Sequence, residues 1–256
     1  VVVPAGVRIG AAQIGALAAA GVPAVRCARR PRVRVLATGS ELRSPGEALA
    51  PGEIYESNRP LVAAVLTGAG AEVEQLPVAI DDEEEHRRTL ARGLAADLLV
   101  TTGGVSVGAR DLVRSVSAEL GVEEVLWGVA VKPGKPLAFG VRGQTLVFGL
   151  PGNPVSSLVG AYLFVRPAVL ALQGAADPGP HYESGRLASP LRCNPHRDEL
   201  VRARRQRTAD GVLLHPLDGQ ESHMIVRAAA ADALVYVRRG EGELPAGASA
   251  AYLTLG

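Results

Sequence analysis

Lysine is almost absent from this 256-residue chain: of 27 lysines and arginines, only Lys132 and Lys135 are lysine. Cysteine is equally scarce, and Cys27 and Cys193 stand far apart without metal-ligand spacing, so a disulfide framework is excluded and reduced thiols in a cytoplasmic protein are expected. The five histidines show no zinc pattern, and neither Ser106 nor Ser156 has a histidine nearby in sequence to activate it as a nucleophile. There is no P-loop and no GxGxxG, which argues against a generic nucleotide-binding module. Net charge is only +1, and the arginines between Arg186 and Arg207 have no aromatic residue interleaved, so that run reads as a solvated face and no nucleic-acid partner is expected. The most apolar segment, Pro154 to Leu172, is interrupted by Arg166 and Pro167, which suits a packed helix better than a membrane span. Val1 to Pro4 lacks both an initiator Met and the basic flank of a signal peptide, so a chain that starts within a longer protein is expected.

What is present begins with the two lysines themselves, in Lys132-Pro133-Gly134-Lys135-Pro136. The prolines stiffen this stretch and Gly134 is free to take positive φ, so both ammonium groups sit on a fixed loop. A surface turn with solvated lysines is the bland alternative. In a chain that otherwise uses arginine, two compact ammonium groups favour a site for a small oxyanion.

The chain is 47% hydrophobic and long enough for one large or two ordinary domains. Ala11 to Gly21 reads as an alanine-rich helix closed by glycine. Arg32 to Ala37 and Ala71 to Val78 read as strands, Asn58 to Leu66 as a helix, and Asp81 and Asp82 cap a helix running to about Ala96. Leu98 to Thr101 is a buried strand, followed by a helix from about Asp111 to Leu120, apolar runs at 125–131, 137–139 and 146–150, and a long helix opened by Pro154. Alternating strands and helices predict a three-layer α/β domain with a mostly parallel sheet, whose ligand site lies outside the carboxyl ends of the strands. Beyond Gly179 come short strands at 201–203, 211–215, 233–237 and 250–255, separated by turn residues, which predict a small all-β domain.

The loops carry the chemistry. Thr101 to Asp111, TTGGVSVGARD, offers unobstructed backbone N–H groups at a helix start, a hydroxyl at Ser106 and a carboxylate at Asp111 that suits Mg2+ or caps the helix. Gly149 to Ser157, GLPGNPVSS, repeats that arrangement or is simply a tight turn into a helix. In Gly52 to Asn58, Glu56 and Asn58 either contact a heterocycle or cap the next helix.

Five motifs in order, TGSEL, GEIYESN, TTGGVSVGARD, KPGKPLAFG and GLPGNPVSS, resemble the MoeA family of molybdopterin molybdenumtransferases, which includes the E domain of gephyrin. The resemblance implies a remnant of the family's N-terminal region at 1–31, a MogA-like molybdopterin-binding α/β domain at 32–177 and a barrel-like β domain at 178–256. It further implies insertion of molybdate into adenylylated molybdopterin with Mg2+-dependent release of AMP. Asp111 would serve the metal and pyrophosphate. Ser106, Lys132, Lys135 and Ser156 would surround molybdate, with Arg197 and Ser222 contributed by the β domain. Thr38, Gly39, Glu56, Asn58, Gly103, Gly104, Gly152 and Asn153 fall in the motifs that would hold the pterin and its phosphates. Position 40 is Ser where many members carry Asp. Full-length members carry further N-terminal domains and form a homodimer, so ligand binding with slow turnover is expected of this shorter chain. A MogA-type adenylyltransferase and a gephyrin-like scaffold are the alternatives; the β domain and PGNPVS favour the insertase.

Overall fold

In the computed structural model, which describes residues 1–104 and 112–255, the chain opens with helix α1 (Ala11–Ala19), which buries none of its residues and ends at Gly21 with φ 71°. Strand β1 (Arg32–Ala37) follows, then a short parallel ribbon of β2 (Leu42–Arg43) and β3 (Ile54–Tyr55). Helix α2 (Asn58–Gly68) leads to β4 (Glu72–Gln75), helix α3 (Glu83–Gly93) to β5 (Leu98–Thr102), and helix α4 (Leu112–Glu119) to β6 (Glu123–Trp127). Asp82 caps α3, its carboxylate accepting from Glu85 N at 2.9 Å, so the acidic run that follows it lies at the positive end of the helix. After β7 (Val131–Lys132), the hairpin β8 (Ala138–Arg142) and β9 (Thr145–Leu150) runs into helix α5 (Pro154–Gly160).

The first sheet has the order β4-β1-β5-β9-β8-β6. All its strands except β8 point the same way. Residues alternate between its two faces. Val33, Val35, Leu98, Val100, Phe148 and Leu150 pack under α2 and the long helix, whereas Leu36, Leu99 and Val147 pack under α3 and α4. This is the three-layer arrangement expected from the alternating pattern. The long apolar segment continues from α5 through a π-helical turn (Ala161–Val165) into α6 (Arg166–Leu172), with Val165 and Val169 buried in the first core. Pro167 has no N–H to give the preceding turn, which accounts for the widening there.

The second sheet contains β10 (Glu183–Leu187), β12 (Asp198–Thr208), β13 (Gly211–Pro216), β14 (Ala233–Val237) and β16 (Ser249–Thr254), with a side ribbon of β11 (Leu191–Arg192) and β15 (Glu243–Leu244). A one-turn helix α7 (Ile225–Ala228) precedes β14. Its order β13-β10-β16-β14-β12 closes on itself through β12–β13, making a five-stranded barrel. β7 is added to the outside of β12, so the KPGKP stretch leaves the first domain and edges the second. Val159 of α5 packs with Leu200, Leu234 and Leu253 of the barrel, an apolar seam that fixes the barrel beside the start of α5.

Candidate functional site at the strand ends

β1, β5 and β9 are parallel neighbours in register, so the loops that follow them leave the sheet side by side. Thr38 N donates to Thr102 O at 3.1 Å, and Gly103 N donates to Leu150 O at 3.1 Å, extending the ladder into those loops. Gly103 has φ 86°, and a Cβ there would lie 2.7 Å from Thr38 O, so the loops close on each other only because the side chain is missing. The Cα of Gly103 lies 3.6 Å from where a Cβ of Gly152 would stand. Asn58 Nδ2 donates to Gly152 O at 2.7 Å, tying the start of α2 to the PGNPVS turn. Thr38, Asn58, Gly103 and Gly152 are thus brought together. Asn58 Oδ1 and the Thr102 hydroxyl are buried there with no hydrogen-bond partner among the described residues. Buried polar atoms in native folds are ordinarily paired, each orphan costing about 1–3 kcal/mol, so this crevice is short of hydrogen-bonding groups that a ligand would bring.

The β domain closes the other side. Ser222 Oγ accepts from Asn153 Nδ2 at 2.9 Å, and Ser222 O accepts from Val155 N at 3.0 Å, which docks the 217–224 loop onto the turn before α5. Ser156 is buried, and its carbonyl lies 3.8 Å from where a Cβ of Gly134 would stand, so KPGKP lies over the first turn of α5. Lys132 and Lys135 are not equivalent. Lys132 Nζ pairs with Glu199 at 2.9 Å, a consequence of the parallel register that sets Glu199 opposite it. Lys135 is exposed and has no ion pair among the described residues. Arg197 is half-buried one residue before β12, its backbone N donating to Asn194 Oδ1 at 3.0 Å; its guanidinium has no partner among the described residues. Ser106 and Asp111 lie outside the described residues.

Glu56 is already committed. Its carboxylate accepts from Arg59 N at 2.8 Å and from Arg59 Nε at 3.0 Å, so it caps α2 and holds an ion pair. At the turn after β1, Gly39 N donates to Ala79 O, and Ser40 and Asp81 bond reciprocally: Ser40 N to Asp81 Oδ2 at 3.2 Å, Asp81 N to Ser40 Oγ at 3.0 Å. A carboxylate therefore stands against position 40 even though the residue there is Ser. The Glu41 carboxylate folds over Gly39, 2.6 Å from where a Cβ would be.

Arg202 was hidden in the arginine run. It is 1% exposed, and its guanidinium donates to the carbonyls of Gly219 at 2.7 Å, Met224 at 3.2 Å and Glu221 at 3.3 Å, and its Nε to Gln220 Oε1 at 3.2 Å. Burial pulls its pKa below the ordinary guanidinium value. It thereby holds the loop that presents Ser222. The available signal was alternation, since Arg202 follows Leu200 at the spacing of a common face, where a core-facing residue belongs.

Residues 34–171 match the model described as a probable molybdopterin binding domain, and residues 184–255 match that of the MoeA C-terminal region, domain IV. The molybdopterin molybdenumtransferase of Haemophilus influenzae is 41% identical over 175 residues, covering 68% of this chain and 43% of that protein. That of Staphylococcus epidermidis is 33% identical over 249 residues, covering 96% of this chain and 59% of its own length. The crystal structure of the molybdopterin biosynthesis MoeA protein from Pyrococcus horikoshii superposes with a TM-score of 0.82 at 30% identity, over 99% of this chain and 61% of that one. The chain thus spans roughly half of the curated relatives it matches. With both its α/β domain and its barrel matched, and in that order, this chain belongs to the MoeA family.

Proposed function

We propose that this chain acts in molybdenum cofactor biosynthesis by holding adenylylated molybdopterin and molybdate at the strand ends, where water hydrolyses the phosphoanhydride, AMP leaves, and molybdenum stays on the dithiolene as displaced molybdate oxygen departs as water. The observation that carries this is the Asn153–Ser222 junction, which closes both domains around the KPGKP loop and the Gly103–Gly152 cradle. A dianion suits that setting: the exposed ammonium of Lys135, the tethered one of Lys132, the Arg197 guanidinium and the hydroxyls of Ser156 and Ser222 are all donors. Asn58 Oδ1 is an acceptor in need of a donor, which the N–H groups of the substrate offer.

Mg2+, when bound, neutralises charge on the phosphoanhydride oxygens. Among the described residues no three metal-ligating side chains cluster. Asp111, with Glu41 and Asp81 at the turn after β1, would supply the hard oxygen donors that such a cation takes alongside water and phosphate. The chain's own work is to orient the anhydride along the glycine cradle and to place cations and hydroxyls on the molybdate oxygens. Acting in the cytoplasm as a homodimer belongs to the same proposal, and sedimentation velocity checks the second point.

Presence of the barrel favours this over a MogA-type adenylyltransferase. Equilibrium dialysis of molybdate against the whole chain and against Lys135→Ala, each with adenylylated molybdopterin, tests the assignment. Binding that depends on Lys135 supports it, and undiminished binding by the variant removes the anion site from KPGKP.

A further inference from the structure

Beside the crevice lies a second cavity, about 280 Å3, between the sheet and α4. Its floor follows the registers of four strands. Thr101 of β5 stands opposite Gly149 of β9, Gly149 opposite Ala138 of β8, and Ala138 opposite Trp127 of β6. One row of the sheet therefore reads hydroxyl, glycine, alanine, indole on the α4 side, about 14 Å from end to end at the usual strand spacing. The row beneath it, Leu99, Val147, Gly140 and Glu124, includes another glycine. Ser117 and Ala118 of α4 form the opposite wall. Small side chains at Gly149, Ala138, Gly140, Ser117 and Ala118 leave a slot where the core under α4 would otherwise continue beyond Val147.

Two further features are those of a ligand site. The Thr101 hydroxyl, at the inner end of the slot, is buried without a hydrogen-bond partner among the described residues, and Thr101 as a whole is 1% exposed. At the outer end, Trp127 is 36% exposed and carries the Arg114 guanidinium 5.7 Å from its ring centroid, while Arg114 forks onto Glu124 with both bonds at 2.6 Å. A ring entering the slot would meet an aromatic face, a hydroxyl able to donate or accept, and a charged pair at the rim.

We propose that this slot binds one planar, bicyclic nitrogen heterocycle, with its edge hydrogen-bonded to Thr101 and its outer end against Trp127. The size supports a single ring system and not a whole nucleotide, because small-molecule pockets run from about 300 to 1,000 Å3 and this one, at about 280 Å3, lies just below that range. Thr101 and Gly149 line the slot on the α4 face, and Thr102 and Leu150, next in sequence, carry the ladder into the strand-end loops, so the slot and the crevice share the carboxyl end of β5 and β9. The substrate in the proposed function carries two such rings, a pterin and an adenine, and only this choice of ring rests on that proposal.

Trp127 is the only tryptophan of the chain, so its emission reports ligand in or near this slot, and the substitutions at Thr101 and Ala138 separate the two. The whole chain is titrated separately with 6-hydroxymethylpterin and with AMP, with excitation at the indole and correction for absorbance. Saturable quenching by the pterin assigns the slot to that end of the substrate, and quenching by AMP assigns it to the adenine. In either case Thr101→Val, which keeps the shape and loses the hydroxyl, weakens the affinity about three- to tenfold. Ala138→Leu, which fills the floor, abolishes the quenching while Thr101→Val keeps the wild-type melting temperature to within a few degrees. No quenching by either compound, or quenching indifferent to both substitutions, overturns the proposal. Molybdate dialysis is independent of Trp127, so a failed titration beside Lys135-dependent molybdate binding sinks the slot alone. Quenching without molybdate binding sinks the insertase reading alone.

Discussion

Replacing Arg202 by Met removes a buried cation and leaves the carbonyls of Gly219, Glu221 and Met224 without their donor. Hydrogen bonds from a charged donor contribute roughly 1.5–3 kcal/mol each, and an unpaired buried acceptor costs about 1–3 kcal/mol. Two terms oppose a simple sum: the guanidinium no longer has to be desolvated, and water can reach part of the exposed 217–224 loop. A net loss of about 3–5 kcal/mol follows, in the range for breaking a buried charged network. At about 2–4 °C per kcal/mol for a chain of this size, melting should fall by roughly 6–20 °C. Amide exchange should speed up at 219–224 and in the adjoining Asn153–Ser156 turn, through the Ser222 contacts, and not at Leu99 in the first sheet. Lysine at 202 should recover only part, since one ammonium cannot reach all these acceptors in the guanidinium's geometry. Melting within 2 °C of wild type for Arg202→Met, with unchanged exchange in the loop, would refute the structural role.

Other substitutions separate the remaining parts. Because Lys132 is paired with Glu199 and Lys135 has no ion pair among the described residues, Lys135→Ala should weaken molybdate binding about tenfold or more and Lys132→Ala less, whereas Glu199→Gln should strengthen it severalfold by freeing Lys132; calorimetric titration in low and raised salt measures all three. Gly103→Ala should destabilise by more than 1 kcal/mol in chemical denaturation, since a methyl group would meet Thr38 O at 2.7 Å from a backbone at positive φ. Asp97, held by Arg29 and by the backbone N–H of Arg32, has its carboxyl pulled down from 3.8 to about 2. Its contribution is therefore complete above about pH 4 and is lost as pH falls through 2. Asp97→Asn should melt lower than wild type at pH 7, and the gap should close between pH 4 and 2.

The sheet and its loops were legible because they depend on local chemistry. Continuous apolar strands such as Leu98–Thr102, glycine at the strand ends and Pro154 at a helix start each leave a mark within a few residues. Longer-range arrangements left none. Glu199 neutralises Lys132 only because β7 joins the outside of the barrel in a particular register, so two lysines that look equivalent in sequence differ in the fold. β10 escaped notice because Glu183–Leu187 has two charged residues and a glycine, and it becomes a strand by pairing with β13 and β16. β12 runs over Asp198–Thr208, far beyond the apolar Val201–Ala203, because partners on both sides satisfy its backbone whatever its arginines do. Val125, Leu126 and Trp127 read as an apolar run, yet they form an exposed edge, since β6 is the last strand of its sheet and Arg114 of α4 reaches over Trp127 without burying the strand. Glu56 offered two roles in sequence, and Arg59 one turn away takes up its carboxylate.

The central claim is tested most directly by following AMP release and molybdenum transfer together, with the whole chain, adenylylated molybdopterin and Mg2+, in the presence and absence of molybdate. The account predicts AMP released in step with molybdenum retained on the pterin, both depending on molybdate and both reduced by Lys135→Ala. AMP release that ignores molybdate and Lys135, or none at all from a chain that binds both ligands, would contradict it.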